Sequence, residues 1–334
     1  MVLLAVSAFF VLLSVYTERN IEREKGHISI RFTKEALGAE RLKQIYEKEK
    51  EIPQMTLWRQ VENAKISYPE LKRNVMVKSV EIWGDANAVY PDCLSAGSAL
   101  QKGDVLGCML SEKAAYEVFG NTDVLGKKIF YEEKSYTIRG ILKIEDPVFL
   151  RENEKADFSY IEVSGKAGGG VEKIRGVLSA KGVLLEEGAV IEADIFRGLL
   201  RFLRLIPVGV LICLFYRKIK NEYYENRIVL WAVRIGVAIL FVVLFWNSWC
   251  FSEDFIPSRW SDFEFFGDLL EAQIGNYKRY LDIEDIYRDR ELFWAFKRTL
   301  IVMGIAVIGA LGMWMEEKGK DKSVVIIAQN TYKS

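Results

Sequence analysis

The 334-residue chain has one histidine, His27, and four cysteines. A lone imidazole leaves no His-based triad or dyad beyond His27 itself, and no spacing of the abundant carboxylates marks an acid–base pair, so catalysis is not expected. Cys93, Cys108, Cys213 and Cys250 form no CxxC, and no Cys/His group has zinc spacing, so neither a structural metal nor a cofactor is expected. No Walker A sequence occurs, and Gly168-Gly-Gly170 lacks the Gly-Lys-Ser/Thr that would make it a phosphate loop. Excess charge is also missing, with 46 basic and 46 acidic residues. Nucleic acid is therefore not an expected partner, because binding phosphates needs a basic surplus.

What the chain does have is apolar sequence, half of its residues being hydrophobic. Residues 1–16 are apolar but a little short of the ~20 that cross a bilayer. A signal peptide would carry a basic start and a small-residue cleavage site, and both are missing, so a retained anchor is expected. The missing basic start also leads us to expect native residues before Met1. Three further spans are predicted over 196–216, 228–251 and 292–315. The link 217–227 is basic, with Arg217, Lys218, Lys220 and Arg227, and the tail 316–334 carries Lys318, Lys320, Lys322 and Lys333. The positive-inside rule places both in the cytoplasm. The acidic segment 252–291 then lies outside, as does the large region 17–195. The expected architecture is an α+β extracytoplasmic domain on a four-helix transmembrane bundle.

Within the outer region, Leu37, Leu42, Ile45 and Tyr46 predict a charged helix over Glu35–Lys50. Val75–Ile82 reads as a strand. Ser111 is placed to N-cap a helix over Glu112–Phe119 that Gly120 ends in the left-handed conformation. Ile129–Tyr131 and Tyr136–Leu142 read as a hairpin across Glu132–Ser135. Phe158–Val163, Val171–Lys181 and Val183–Ile191 read as strand, helix and strand, with Gly182 as the helix stop. Outside the cytoplasm a Cys93–Cys108 disulfide is possible, and buried or reactive free thiols are equally compatible.

Ser111-Glu-x-x-Ala-x-x-x-Phe-Gly120, Asp123-Val-Leu-Gly-Lys127 and Tyr136-x-Ile-x-Gly-Ile-Leu142 together carry a resemblance. They resemble the MacB-like periplasmic core domain of MacB/FtsX-type ABC transporter permeases, over roughly residues 52–200. Val80-Glu-Ile-Trp-Gly-Asp85 and Leu94-x-x-Gly97 stand in corresponding places. The order of anchor, outer domain and three further spans is similar to the four-span members. The resemblance implies a bacterial plasma-membrane subunit working with a separate cytoplasmic ABC ATPase, in a homo- or hetero-dimer of permease subunits. Motion driven by ATP would reach the outer domain through the helices. Within the motif, Ser111, Gly120, Gly126 and Gly140 are expected to serve caps and turns, and Phe119 and Ile129 the core. The 217–227 link departs from the family in lacking the longer Glu-Ile-Gly-type segment that docks on the ATPase. Arg217, Lys218 and Lys220 would form a reduced contact. The competing function is a membrane-anchored binding or scaffold protein without ATPase coupling.

Arg197, Arg201 and Arg204 recur at spacings of four and three, on one helix face at the outer end of the second span. The apolar run behind them, Leu205–Tyr216, spans roughly 18 Å at 1.5 Å per residue, short of a ~30 Å hydrocarbon core. They are expected either to snorkel to membrane-lipid phosphates or to pair with Glu253, Asp254, Asp262, Glu264, Asp268 and Glu271 of the acidic loop. Pro207 is expected to kink the span. Arg234 is expected to snorkel toward the inner boundary. Ser261-x-x-Glu264 reads as a capping box before Phe263, Phe266, Leu270, Ile274 and Tyr277. It predicts an amphipathic helix on the outer membrane surface or under the outer domain, with Trp260 and Trp294 in an interfacial belt.

Overall fold

The computed structural model describes residues 2–32, 55–163, 176, 188–222, 227–248, 264–283 and 285–331. They form two units: Gly26–Glu192 with Glu253–Asp289, and Met1–Lys25 with Ala193–Ser252 and Arg290–Ser334. The first is α+β and the second is helical. The expected helices over Glu35–Lys50 and Val171–Lys181 and the Gly168–Gly170 turn lie outside the described residues, apart from Gly176.

The α+β unit is built on a mixed sheet. Its strands are β1 (Ile28–Phe32), β2 (Met55–Tyr68), β3 (Arg73–Trp83), β4 (Leu94–Gly97) and β5 (Gly107–Ser111), with short helix α2 (Ala86–Val89) after β3. Helix α3 (Glu112–Phe119) precedes β6 (Lys128–Tyr131), β7 (Lys134–Leu142), β8 (Val148–Glu152), β9 (Tyr160–Val163) and β10 (Gly188–Glu192). The spatial order is β10-β1-β9-β2-β3-β8-β5-β7-β4. Pairs β3–β8 and β5–β7 are parallel. Strand β6 pairs with both β2 and β7, which closes a ring through β2, β3, β8, β5, β7 and β6.

The two-residue period of a strand divides the core in two. On β5, Cys108 and Leu110 join Ile66, Val118, Ile129, Ile138 and Phe149. Met109, between them, turns to the opposite face and joins Val80, Ile82, Cys93, Val148, Leu150 and Ile286. Both faces are covered, so β5 and β8 are buried along their whole length. Each such Leu, Ile or Phe is worth about 1.5–3 kcal/mol of burial. The same division separates Cys93 from Cys108, so the disulfide left open by the sequence is not formed. Burial pushes the Cys108 thiol well above its ordinary value, as expected of an unreactive core residue.

The motif residues act locally. Ser111 Oγ accepts from Ala114 N at 3.1 Å and caps α3, and Gly120 closes it at φ 73°. Ser111 Oγ also accepts from Val148 N at 2.9 Å, which ties the cap to β8. Phe119 is half-buried against Tyr68, with ring centroids 4.7 Å apart, and Ile129 is fully buried. Gly126 has φ 76° and donates its N–H to Ile138 O at 2.9 Å. A Cβ on Gly140 would lie 2.6 Å from the Ser98 carbonyl, so only glycine lets that part of the chain approach β7.

Helix α6 (Phe265–Leu281) closes the β10 edge of the sheet. The Asn276 carboxamide accepts from Val190 N at 2.7 Å and donates to Val190 O at 2.6 Å, and Arg279 Nε donates to Gly188 O at 3.0 Å. Side chains thus stand in for a further strand. The predicted apolar stripe of Phe266, Leu270, Ile274 and Tyr277 lies on this helix and is exposed. Glu264 occupies the N-cap position and makes no side-chain cap bond, so it is not the N3 partner that a capping box requires. Ser261 lies outside the described residues, as do Trp260 and Phe263.

The helical unit contains α1 (Val2–Glu22), α4 (Ala193–Glu222), α5 (Arg227–Ser248) and most of α7 (Tyr287–Thr331). Ala193–Lys220, Arg227–Ser248 and Tyr287–Glu316 are long and apolar enough to cross a membrane. Ile21, Leu200, Ala295 and Met303 form one core, and Leu214, Ala310 and Met313 a second. Small residues bring α1 close to α7: Ser7 Oγ donates to Ala306 O at 3.0 Å, beside Gly309. Helix α4 continues unbroken through Pro207.

Candidate functional site

Two charged clusters stand out, one in each unit. In the helical unit, the four-and-three spacing of Arg197, Arg201 and Arg204 lines them along α4. Arg201 Nε donates to Glu18 at 3.0 Å and its second guanidinium nitrogen pairs with Glu22. Arg204 pairs with Glu18 and donates to Ser14 Oγ at 3.3 Å. Arg197 pairs with Asp194 and approaches Glu22 at 3.3 Å. Among the described residues, the stripe is thus paired with carboxylates of α1 and of α4's own first turn. Of the acidic-loop residues considered from sequence, Glu253, Asp254 and Asp262 lie outside the described residues. The signal for the α1 partners was present in Ser14-x-x-x-Glu18-x-x-x-Glu22, a polar line at helical spacing toward the end of α1.

At the other end of α4, Arg217, Lys218 and Lys220 are helical, because α4 runs on to Glu222. Lys218 and Lys220 are exposed and Arg217 is half-buried. Arg234 on α5 donates to Tyr216 Oη at 3.0 Å and stacks over Trp231. It is thus held between helices.

No motif in the sequence marks the second cluster. The alternation Ile28-Ser-Ile-Arg-Phe32 puts Ser29 and Arg31 on one face of β1. In register, Ser29 opposes Glu162 of β9, which also opposes Thr56 of β2; Arg31 opposes Tyr160, which opposes Trp58. This face is closed off from solvent: Arg31 and Glu162 are fully buried and Asp289 is 1 % exposed. Arg31 binds Asp289 in bidentate fashion, at 2.9 Å through Nε and 2.8 Å through Nη2, and lies 2.6 Å from Glu162. Glu162 also accepts from His27 Nε2 at 2.7 Å, Ser29 Oγ at 2.6 Å and Trp58 Nε1 at 3.0 Å. The Arg31 guanidinium lies 5.4 Å from the Trp58 ring centroid and 5.6 Å from that of Tyr160. Arg288 donates to Ala88 O.

Burial alone would raise the Glu162 carboxyl, but Arg31, with help from His27 and Arg288, holds it well below the usual carboxylate range. Burial would likewise lower the Arg31 guanidinium, and its two carboxylates hold it above its ordinary value. The cluster joins β1, which follows α1 after five residues, to Asp289 in the first turn of α7. Chemically it is a closed set of satisfied charges. Among the described residues it leaves no open position for a ligand, and it is suited to holding segments together.

No family model matches the chain, and no curated protein matches it. Solved structures do resemble it. The periplasmic region of MacB from Actinobacillus actinomycetemcomitans is 13% identical, with a TM-score of 0.41, covering 51% of this chain and 89% of that one. The extracellular domain of the noncanonic ABC-type transporter YknZ from Gram-positive bacteria is 14% identical, with a TM-score of 0.39, covering 50% and 100%. A permease-protein domain from Porphyromonas gingivalis is 18% identical, with a TM-score of 0.35, covering 50% and 88%.

Proposed function

We propose that this chain is an integral-membrane, permease-like subunit that carries helix movement to an extracytoplasmic α+β domain. In this reading α1 is a fourth membrane span beside α4, α5 and α7, and residues 26–192 and 253–289 face the exterior of a bacterial cell membrane. The chain performs no chemistry of its own. It works with a separate cytoplasmic ABC ATPase, which meets the exposed Lys218 and Lys220 and the adjoining Arg217. The observation that carries the reading is the Arg31–Asp289–Glu162 clasp, which gathers the strand after α1 and the first turn of α7 into one rigid charged core. A displacement of either helix would be felt at the same place in the sheet.

A second reading, a membrane-anchored binding or scaffold protein, is favoured by one feature. Only residues 223–226 separate α4 from α5, which leaves no room for a docking helix between them. Mild detergent extraction of the tagged full chain separates the two. The first reading expects a stoichiometric ATP-binding protein that is lost from Lys218→Glu/Lys220→Glu. If no such protein is recovered with the wild type, the scaffold reading stands instead.

A further inference from the structure

The helical unit contains a cavity of about 420 Å³ between α1, α4 and α5. On each helix its lining changes from apolar to charged in the same direction. Along α1 it passes from Val15 to Glu18, Arg19 and Glu22. Along α4, which runs the opposite way, it passes from Val208 and Leu205 to Arg204 and Arg201. Along α5 it passes from Leu244 to Asn247 and Ser248. Arg201 sets these levels against one another, since it binds Glu18 and Glu22 and also donates to Asn247 O at 3.2 Å. The cavity therefore has an apolar floor and a charged rim.

The rim carries three guanidiniums against two carboxylates. Glu18 and Glu22 are engaged by Arg201 and Arg204, which are committed to shaping the rim. Arg19 differs. It is exposed, it stacks over Tyr16 at 5.5 Å, and among the described residues it has no carboxylate partner. The surplus positive charge is thus available to a ligand. An apolar floor below an available guanidinium fits an amphiphile with an anionic head, and a bilayer supplies one.

We propose that this cavity binds one anionic phospholipid, with an acyl chain on the floor made by Val15, Leu205, Val208 and Leu244 and the phosphate against Arg19. The site rests on reading these helices as membrane spans. Its role is to hold α1 against α4 and α5 with a lipid as the third component.

The test uses the full chain extracted from membranes in detergent and analysed by native mass spectrometry with phosphatidylglycerol, phosphatidylcholine or glycerol phosphate. Wild type should carry phosphatidylglycerol in preference to phosphatidylcholine. Arg19→Gln should lower that occupancy about tenfold, and Arg19→Lys should keep it. Val208→Trp, and the milder Val208→Leu, should reduce bound lipid of both kinds while leaving the charges in place. Equal retention of phosphatidylglycerol in wild type, Arg19→Gln and Val208→Leu overturns the site, as does equal occupancy by the two lipids. Glycerol phosphate competing as well as the intact lipid would also overturn it, since a free-anion site needs no apolar floor. Recovery of the chain without detergent would defeat the membrane reading itself, an outcome distinct from a detergent-extracted protein that binds no lipid.

Discussion

Ser111 shows how much one hydroxyl can hold. It accepts two backbone N–H groups while fully buried, one from the helix it caps and one from the neighbouring strand. Alanine there would leave both donors without a partner. The expected cost is about 2 kcal/mol, read as a lowered denaturant midpoint at unchanged slope. Glu162 makes the larger electrostatic statement. Glu162→Gln leaves Arg31 facing Asp289 alone in a buried site, and should cost about 3 kcal/mol at neutral pH. The sign of its pH dependence follows from the depressed carboxyl. Wild-type Glu162 contributes its full stabilisation above the ordinary carboxylate range, and the contribution is lost as pH falls below that range toward the folded value. The melting temperatures of wild type and Glu162→Gln should therefore differ most near pH 7 and converge on acidification from about pH 5. A constant gap across that range would show that the charge of Glu162 does not stabilise the fold.

Among the elements, the β6–β7 hairpin carries an avoidable strain. Its two turn residues, Glu132 and Glu133, have φ of 47° and 64°, the geometry of a type I′ turn that favours Asn-Gly. Glu133→Gly should stabilise the α+β unit by about 1 kcal/mol, with a higher melting temperature and an unchanged fold. Glu132 is better retained, because it lies 3.5 Å from Arg151. The hairpin was legible in the chain from its alternating apolar residues, though its turn is Glu132–Glu133 and not the four residues Glu132–Ser135, since Lys134 and Ser135 pair with Tyr131 and Phe130; α3 was legible from its serine and glycine ends. Both depend on contacts within a dozen residues. The edge helix α6 was half legible. Its apolar stripe predicted a helix, yet the attachment comes from Asn276 and Arg279 on another face, through hydrogen bonds to a strand some 86 residues earlier. Polar residues on a helix ordinarily read as solvated, so nothing local announced that role.

For the whole molecule, the orientation of the α+β unit is the property on which the functional reading turns. Single cysteines replacing Lys134 and Lys220 test it in intact cells with a membrane-impermeant thiol reagent, against a background lacking the four native cysteines. Lys134→Cys in the exposed β6–β7 hairpin should react from outside, and Lys220→Cys on the last turns of α4 should react only after permeabilisation. The reverse pattern would invert the topology and remove the extracytoplasmic role. The chain passes between its two units at four places, 25/26, 192/193, 252/253 and 289/290. The buried clasp lies close in sequence to the first and last of these, with His27 and Arg31 near one and Arg288 and Asp289 at the other.

The apolar runs of the three long helices and the two ends of α3 could be read from order alone, because each is set by residues that are neighbours in the chain. Partner choice could not. Arg31 sits in the polar phase of a short alternating strand, and alternation by itself assigns it to water; its bidentate carboxylate lies 258 residues away. The arginines of α4 were legible as a stripe, but only packing against α1 brings Glu18 and Glu22 to Arg201 and Arg204. Cys93 and Cys108 look bridgeable until the fold buries them in two separate core clusters. The physical reason is the same in each case: a long-range charge or thiol contact depends on which surfaces meet, and the folding of the whole chain decides that.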